Sequence, residues 1–283
     1  MKEKLSMILS MVIFGTIGIF VKYIGLPSGL IASARGITGA VVIILVMLIT
    51  KHKPDIKSVI KKLPVLISSG VAIGFNWILL FEAYNHTGIP VATVCYYTAP
   101  IFVVVATPFV FKSKLKPRQL ICVVLALLGV VAVSGVLQNG TTKITGVLLG
   151  VGAAVLYASV MIMNKFMGDV PDYERTVIQL GSAGLVVLPY ALLTSSEVSV
   201  TTTSVVLLAI VGVVHTGFAY LLYFGALKKL KSQTAAILSY IDPAAAIILS
   251  SIIFVQLPTT YELVGVVLIM SAALLSENFK KAE

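Results

Sequence analysis

Apolar stretches of about 20 residues follow one another along the chain, separated by short polar breaks. Each is long enough to cross a hydrocarbon core of roughly 30 Å as an α-helix. The pattern predicts ten spans, over 5–24, 29–50, 63–84, 90–111, 118–137, 144–165, 173–194, 204–227, 232–256 and 261–279. The breaks carry turn or charge signals, among them Leu26-Pro27-Ser28-Gly29, Gln138-Asn139-Gly140 and Leu257-Pro258-Thr259. The first span follows a short basic start, is too long for a signal-peptide core and has no small-residue cleavage site behind it. It is expected to be retained as a helix. The fold class expected is an all-α membrane protein.

The chain also repeats itself at an offset of 143 residues without a gap. Lys22 falls on Lys165, Gly74-Phe75 on Gly217-Phe218, Phe81 on Phe224, Tyr97 on Tyr240 and Pro100 on Pro243. The two copies differ in loop charge. Lys51 to Lys62 maps onto Thr194 to Val205, which has no Lys or Arg, whereas Lys228, Lys229 and Lys231 map back onto Asn85, His86 and Gly88. Basic loops stay cytoplasmic, so copies whose basic loops swap ends are expected to insert in opposite orientations. With both termini cytoplasmic, 17 of the 21 Lys and Arg fall inside, leaving Lys22 and Lys143 outside and Arg35 and Arg175 within spans. The expected architecture is ten transmembrane helices as two inverted five-helix repeats, 1–140 and 141–283. An inverted repeat is the usual scaffold of a secondary transporter working by alternating access.

Composition sharpens this. The chain is 58% hydrophobic and 11% charged, against about 25% charged in soluble domains. Its net charge of +10 sits in interhelical loops rather than on one soluble face, which argues against nucleic acid as a partner. Cys95 and Cys122 both lie inside spans, with no disulfide framework and no metal-ligand spacing. A phosphate-binding G-x-x-x-x-G-K-[ST] sequence is missing, so ATP is not the direct energy source. No cofactor is expected, and the partners are a small solute and the lipid bilayer. Both copies lie in one chain, so a monomer is expected, in the cell membrane. Gly36/Gly39, Gly70/Gly74 and Gly146/Gly150 stand at spacings that let helix backbones approach closely.

Phe14-Gly15, Lys22, Arg35, Phe81-Glu82-Ala83-Tyr84, Thr98-Ala99-Pro100, Tyr223-Phe224-Gly225-Ala226-Leu227 and Tyr240-Ile241-Asp242-Pro243 resemble the EamA family of the drug/metabolite transporter superfamily. The resemblance covers essentially the whole chain. It implies export of small metabolites, amino acids or toxic organic compounds, with import in some members. The family's Glu after the fourth and ninth helices is replaced here by Ser113 and Gln256, so its role does not carry over.

Candidate chemistry lies where the copies differ. Ala99 is matched by Asp242, the eleventh residue of its span and so roughly 15 Å deep. An ionisable residue at that depth is a functional-site hypothesis by default. Asp242 is the candidate for proton coupling and substrate binding, or else a structural partner of Ser239, whose carbonyl Pro243 frees, or of a neighbouring helix. Ser239 is a further substrate-binding candidate through that freed carbonyl. His215, the twelfth residue of its 24-residue span, is the second proton-coupling candidate, able to relay a proton or pair with Asp242, or to serve as a neutral structural ring. Thr216, Tyr220 and Tyr223 fall on one stripe of the eighth span. Asn76 and Trp77 on the third span, Tyr96 and Tyr97 on the fourth, and Tyr157 and Asn164 on the sixth add polar and aromatic groups suited to small amphipathic solutes. Tyr84, Tyr190 and Tyr261 near span ends read better as interfacial anchors. Arg35 could bind a substrate carboxylate, or snorkel, or neutralise Glu82.

The leading expectation is a proton-coupled or facilitative exporter of amino acids, amines or toxic organic compounds. The alternative is an importer or uniporter of a quaternary amine or nucleoside. An enzyme would need a nucleophile–base pair or metal cluster within the bilayer, and of the three His residues only His215 is intramembrane. No enzymatic activity is expected.

Overall fold

A computed structural model describes residues 2–111, 117–133, 144–168, 170–195, 199–227, 238, 241–255 and 259–281. The described residues form helices joined by turns, with no strand among them. In chain order these are α1 (Lys2–Ile24), α2 (Ser28–Ile49), α3 (Ile56–Thr87), α4 (Ile89–Tyr96), α5 (Ala99–Phe111), α6 (Pro117–Val133), α7 (Ile144–Phe166), α8 (Asp172–Thr194) and α9 (Thr202–Ile210). A π-helical segment, Val211–Phe218, then leads into α10 (Ala219–Leu227), followed by α11 (Ile241–Phe254) and α12 (Thr260–Lys281).

Seven helical stretches among the described residues are long and apolar enough to cross a membrane, one of them running from Ile89 to Val110 through α4 and α5. Shorter apolar helices cover Leu120–Ala132 and Leu263–Ala272, within the expected fifth and tenth spans. The protein is therefore a helical, multi-pass membrane protein. Many large apolar side chains are exposed on the outside of the bundle, such as Leu48 at 69% and Leu193 at 81%. In a bilayer that surface meets lipid rather than water, so the exposure carries no hydrophobic penalty.

Three elements depart from the expected spans, each for a local reason. The third helix starts seven residues before position 63, because Asp55 caps it by accepting a bond from the Ser58 amide at 3.1 Å. It runs through Pro64 and stops where Gly88 takes φ +84. The fourth span is two helices, because Pro100 cannot donate to the Tyr96 carbonyl. The turn between them tightens: Thr98 donates to Cys95 O at 3.1 Å and Ile101 to Thr98 O at 2.9 Å. The eighth span changes register over Val211–Phe218, where Thr216 Oγ1 donates to Val211 O, five residues back, at 3.1 Å.

The bundle is held by close crossings. α2 packs along α8, where a Cβ added at Gly36 would lie 2.7 Å from Gly184 N. α3 packs against α7 and α8, with Gly70 and Gly74 against Gln179 and Ala183. At α7, Gly146 lies against Thr87, and Gly150 against Cys95 and Ala92. The spaced glycines therefore pack backbones together, as their spacing implies. α1 lies against α10 and α11, and α6 against α12. The main core gathers residues of α1, α2, α3 and α8, among them Ile31, Phe81 and Leu180, each at most 1% exposed.

Candidate functional site

The break between α4 and α5 and the start of α11 face one another in the bundle. Tyr97 caps the C-terminal end of α4, and Asp242 is the second described residue of α11. Tyr97 Oη donates a hydrogen bond to Asp242 Oδ2, joining positions 145 residues apart. The observed side-chain partner of Asp242 is Tyr97. Tyr97 belongs to a neighbouring helix, one of the two structural partners expected from sequence; the other, Ser239, lies outside the described residues. Tyr96 turns the other way and stacks on Tyr157 of α7 at 5.1 Å between centroids and 24° between planes.

Arg35 enters from α2. It is 5% exposed, and its guanidinium lies 4.2 Å from the centre of the Trp77 ring on α3. Its Nε donates to Thr216 Oγ1 at 2.8 Å. The π register decides this contact. Thr216 spends its proton on the carbonyl of Val211, which leaves the hydroxyl oxygen to accept from Arg35. Arg35 neither snorkels nor turns to Glu82. Asp242, Tyr96 and Tyr220 all lie within electrostatic range of it.

His215 stands one residue before Thr216. Thr16 Oγ1 donates to Ile13 O at 2.7 Å and sits 2.9 Å from His215 Nε2. Because the Thr16 proton is committed, His215 Nε2 is the donor in that pair. The ring also meets Phe20 edge-on at 4.6 Å. The structure therefore pairs His215 with α1, not with Asp242. Asn76 is committed as well: it is 2% exposed and its Nδ2 donates to Ala153 O at 2.5 Å, tying α3 to α7. Asn164 belongs to a separate cluster with Gln179 and Ser69.

Arg35, Trp77, Tyr96, Tyr97, Tyr157, Thr216, Tyr220 and Asp242 thus surround one interior region. Three contributors on α1 were not evident from sequence. Phe14 packs edge-on against Tyr220 at 5.2 Å and Tyr223 at 6.2 Å, and Thr16 and Phe20 hold His215. The signal for Phe14 was available, since the 143-residue offset places it on Tyr157. Tyr84 also differs from its expected role as an interfacial anchor. It is 7% exposed, beside Phe81, and within electrostatic range of Asp242 and Arg35. Among the described residues no cluster of His, Cys, Asp and Glu could hold a metal ion.

This arrangement offers one cation on an aromatic face, one carboxylate held by Tyr97, and aromatic groups around them. It suits a small solute carrying both an anionic and a cationic or proton-donating group.

Comparison with known proteins places the chain. The model of the EamA-like transporter family matches residues 1–135 and again 144–277. A protein of Bacillus subtilis (strain 168) named as the uncharacterized transporter YxxF is 27% identical over 277 residues, 96% of this chain and 88% of that protein. A Salmonella typhimurium protein named a probable amino-acid metabolite efflux pump is 25% identical over 223 residues, 74% of this chain and 75% of its own length. A solved crystal structure covering 99% of this chain and 98% of its own superposes with a TM-score of 0.65 at 17% identity, a likeness of fold.

Proposed function

The chain belongs to the EamA-like transporter family, and on that premise we propose that it is a proton-coupled exporter of small metabolites, with amino acids, amines and toxic organic compounds as cargo. It is a transporter and not an enzyme. In this reading it works as a monomer in the cell membrane with both termini cytoplasmic, its ten transmembrane helices forming two inverted five-helix halves, 1–140 and 141–283. The packing supports the two halves. α2 on α8 and α6 on α12 are pairs related by the 143-residue offset. α3 lies on α7 as α10 lies on α1, and α5 lies on α7 as α11 does on α1. Such an exchange of neighbours is what a two-fold relation between halves produces.

The observation that carries the functional reading is the pairing of Asp242 with Tyr97 on one side of the interior, while Arg35 lies on Trp77 and Thr216 on the other. Arg35 takes a solute carboxylate, the tyrosines and Trp77 clasp the body, and Asp242 holds either the amine or the proton exchanged for it. When the cavity opens to the other side the solute leaves and Asp242 reloads. Competition between proton and amine for one carboxylate couples the two fluxes. The name of the Salmonella relative favours amino-acid metabolites and the export direction.

The test is proton flux in proteoliposomes loaded with a panel of amino acids, amines and toxic cations. The wild type moves protons when a transported solute is supplied, and Asp242→Asn abolishes that flux while leaving counterflow of labelled solute measurable. Unchanged proton movement in Asp242→Asn would assign the coupling to another group.

A further inference from the structure

The cytoplasmic ends of α2, α3 and α8, in the orientation proposed above, enclose a second feature that the transport site does not use. It is an open groove of about 280 Å³ walled by apolar side chains, including Ile44, Met47 and Leu48 of α2, Ile56 and Val59 of α3, and Val177 of α8. The loop beside it is built rather than loose. Lys51 adopts φ +52, which turns the chain back so that the His52 amide donates to Met47 O at 2.9 Å. Glu174 of α8, 5% exposed, then pins the loop, accepting from His52 Nε2 and from the Asp55 amide, both at 3.0 Å. The His52 ring also packs edge-on against Tyr173 at 5.2 Å. The loop is thereby fixed to a helix far along the chain.

Two further observations indicate what fills the groove. α3 has 32 residues, about 48 Å, against a hydrocarbon core of roughly 30 Å. Its first two turns therefore lie in the headgroup region. There Ile56, Ile60 and Leu63 are exposed on one stripe, and Lys57 and Lys61 stand on the next. Lys51 and Lys53 are exposed on the pinned loop. An apolar channel opening beside exposed lysines is complementary to a lipid with apolar chains and an anionic head. The copy of this segment at the opposite end of the molecule, 194–205, has no Lys or Arg, so the feature belongs to one membrane face.

We propose that this groove is a binding site for an anionic phospholipid, with an acyl chain along Met47, Leu48 and Val59 and the phosphate held by Lys51, Lys53 and Lys57. Oε1 of Glu174 takes both bonds, from His52 and Asp55, so it organises the loop beneath the headgroup. Bound lipid ties the first-copy loop to α8 and stiffens the cytoplasmic end of the α2–α8 crossing.

The experiment compares purified protein in detergent with phosphatidylglycerol, phosphatidylethanolamine and phosphatidylcholine of the same acyl chains. Native mass spectrometry reads the lipid retained, and thermal unfolding reads the stabilisation. Phosphatidylglycerol is expected to be retained at least about fivefold over phosphatidylcholine. The triple variant K51Q/K53Q/K57Q removes that preference, and Val59→Trp, which fills the groove, lowers retention of every lipid. The variant K228Q/K229Q/K231Q, in another basic loop, keeps the preference. Equal retention of the three lipids by the wild type overturns the proposal, as does an equal loss in the K228Q/K229Q/K231Q control. Binding in detergent does not depend on orientation, which is read separately by labelling Lys53→Cys in whole cells with a membrane-impermeant maleimide. Labelling from outside would overturn the orientation while leaving a lipid site on the opposite leaflet.

Discussion

The third helix of the first copy and its counterpart in the second differ in what they do with the same positions. α3 is continuous α-helix through Ala72 and Ile73. At the matching positions the second copy has His215 and Thr216, inside a π segment. The same asymmetry recurs elsewhere: Arg35 is matched by Ile178, and Asp242 by Ala99. Arg35, Thr216 and Asp242 of the interior site thus each have an apolar counterpart in the other copy, whereas Tyr97 is matched by Tyr240. The scaffold is doubled, but the chemistry is single. A symmetric site would present two equal half-sites to an asymmetric solute. In the function proposed above, one Arg and one Asp set the solute's direction.

The comparison breaks most sharply at Arg35. Replacing it by Leu, matching the apolar character of Ile178, removes the only buried cation beside Trp77 among the described residues. Counterflow of any carboxylate-bearing solute is expected to fall by about 100-fold, the weight of a charge-assisted contact of 2–3 kcal/mol. Solutes without a carboxylate should be affected far less. An equal loss for both classes would assign Arg35 to the framework.

A second test separates the paired positions 216 and 73. Thr216→Val removes the acceptor of the Arg35 Nε bond while keeping the side-chain shape. Since hydrogen bonds to charged groups contribute about 1.5–3 kcal/mol, a loss of transport of about tenfold or more is expected. Ile73→Val in the first copy should leave transport within about twofold, since it trims one methylene and no polar contact. Equal effects at the two positions would mean that the π segment matters for packing alone.

The smallest effect concerns the scaffold that the copies share. A Cβ at Gly184 would meet Ile37 N at 2.7 Å and Ser33 O at 2.8 Å, whereas at Gly181 the nearest atom is 3.9 Å away. Gly184→Ala should destabilise the purified protein by about 1–3 kcal/mol through overpacking, seen as a lower thermal midpoint. Gly181→Ala should be neutral or slightly stabilising, because Ala favours helix. If Gly184→Ala is neutral, the α2–α8 crossing is looser than its geometry indicates.

Much of the fold was legible because the bilayer imposes a strong, local code. A span needs about 20 apolar residues, and that requirement shows directly in hydropathy. The site was legible in part, by the argument that an Asp within a span or an Arg within a span needs a reason. His215 and Asn76 were visible by the same argument, but their partners were not: one binds Thr16 and the other the carbonyl of Ala153. The π segment left no mark in the pattern, since both copies have the same number of residues there. Thr16 and Phe20 read as ordinary members of an apolar span.

By itself, the sequence determined that the chain is helical and multi-pass, that it contains two related copies, and which residues make those copies unequal. These are properties of hydrophobicity and charge counted along the chain, and each is settled within a few turns of helix. The tertiary structure alone decided which of the unequal residues meet. Tyr97 reaches Asp242 across 145 residues, and Arg35 reaches Thr216 across 181. Those meetings depend on how closely helices cross, which the glycines at 36 and 184 permit, and on a register shift in one helix. Neither the closeness of a crossing nor the phase of a helix is a local property, because both come from shapes packed together from distant parts of the chain.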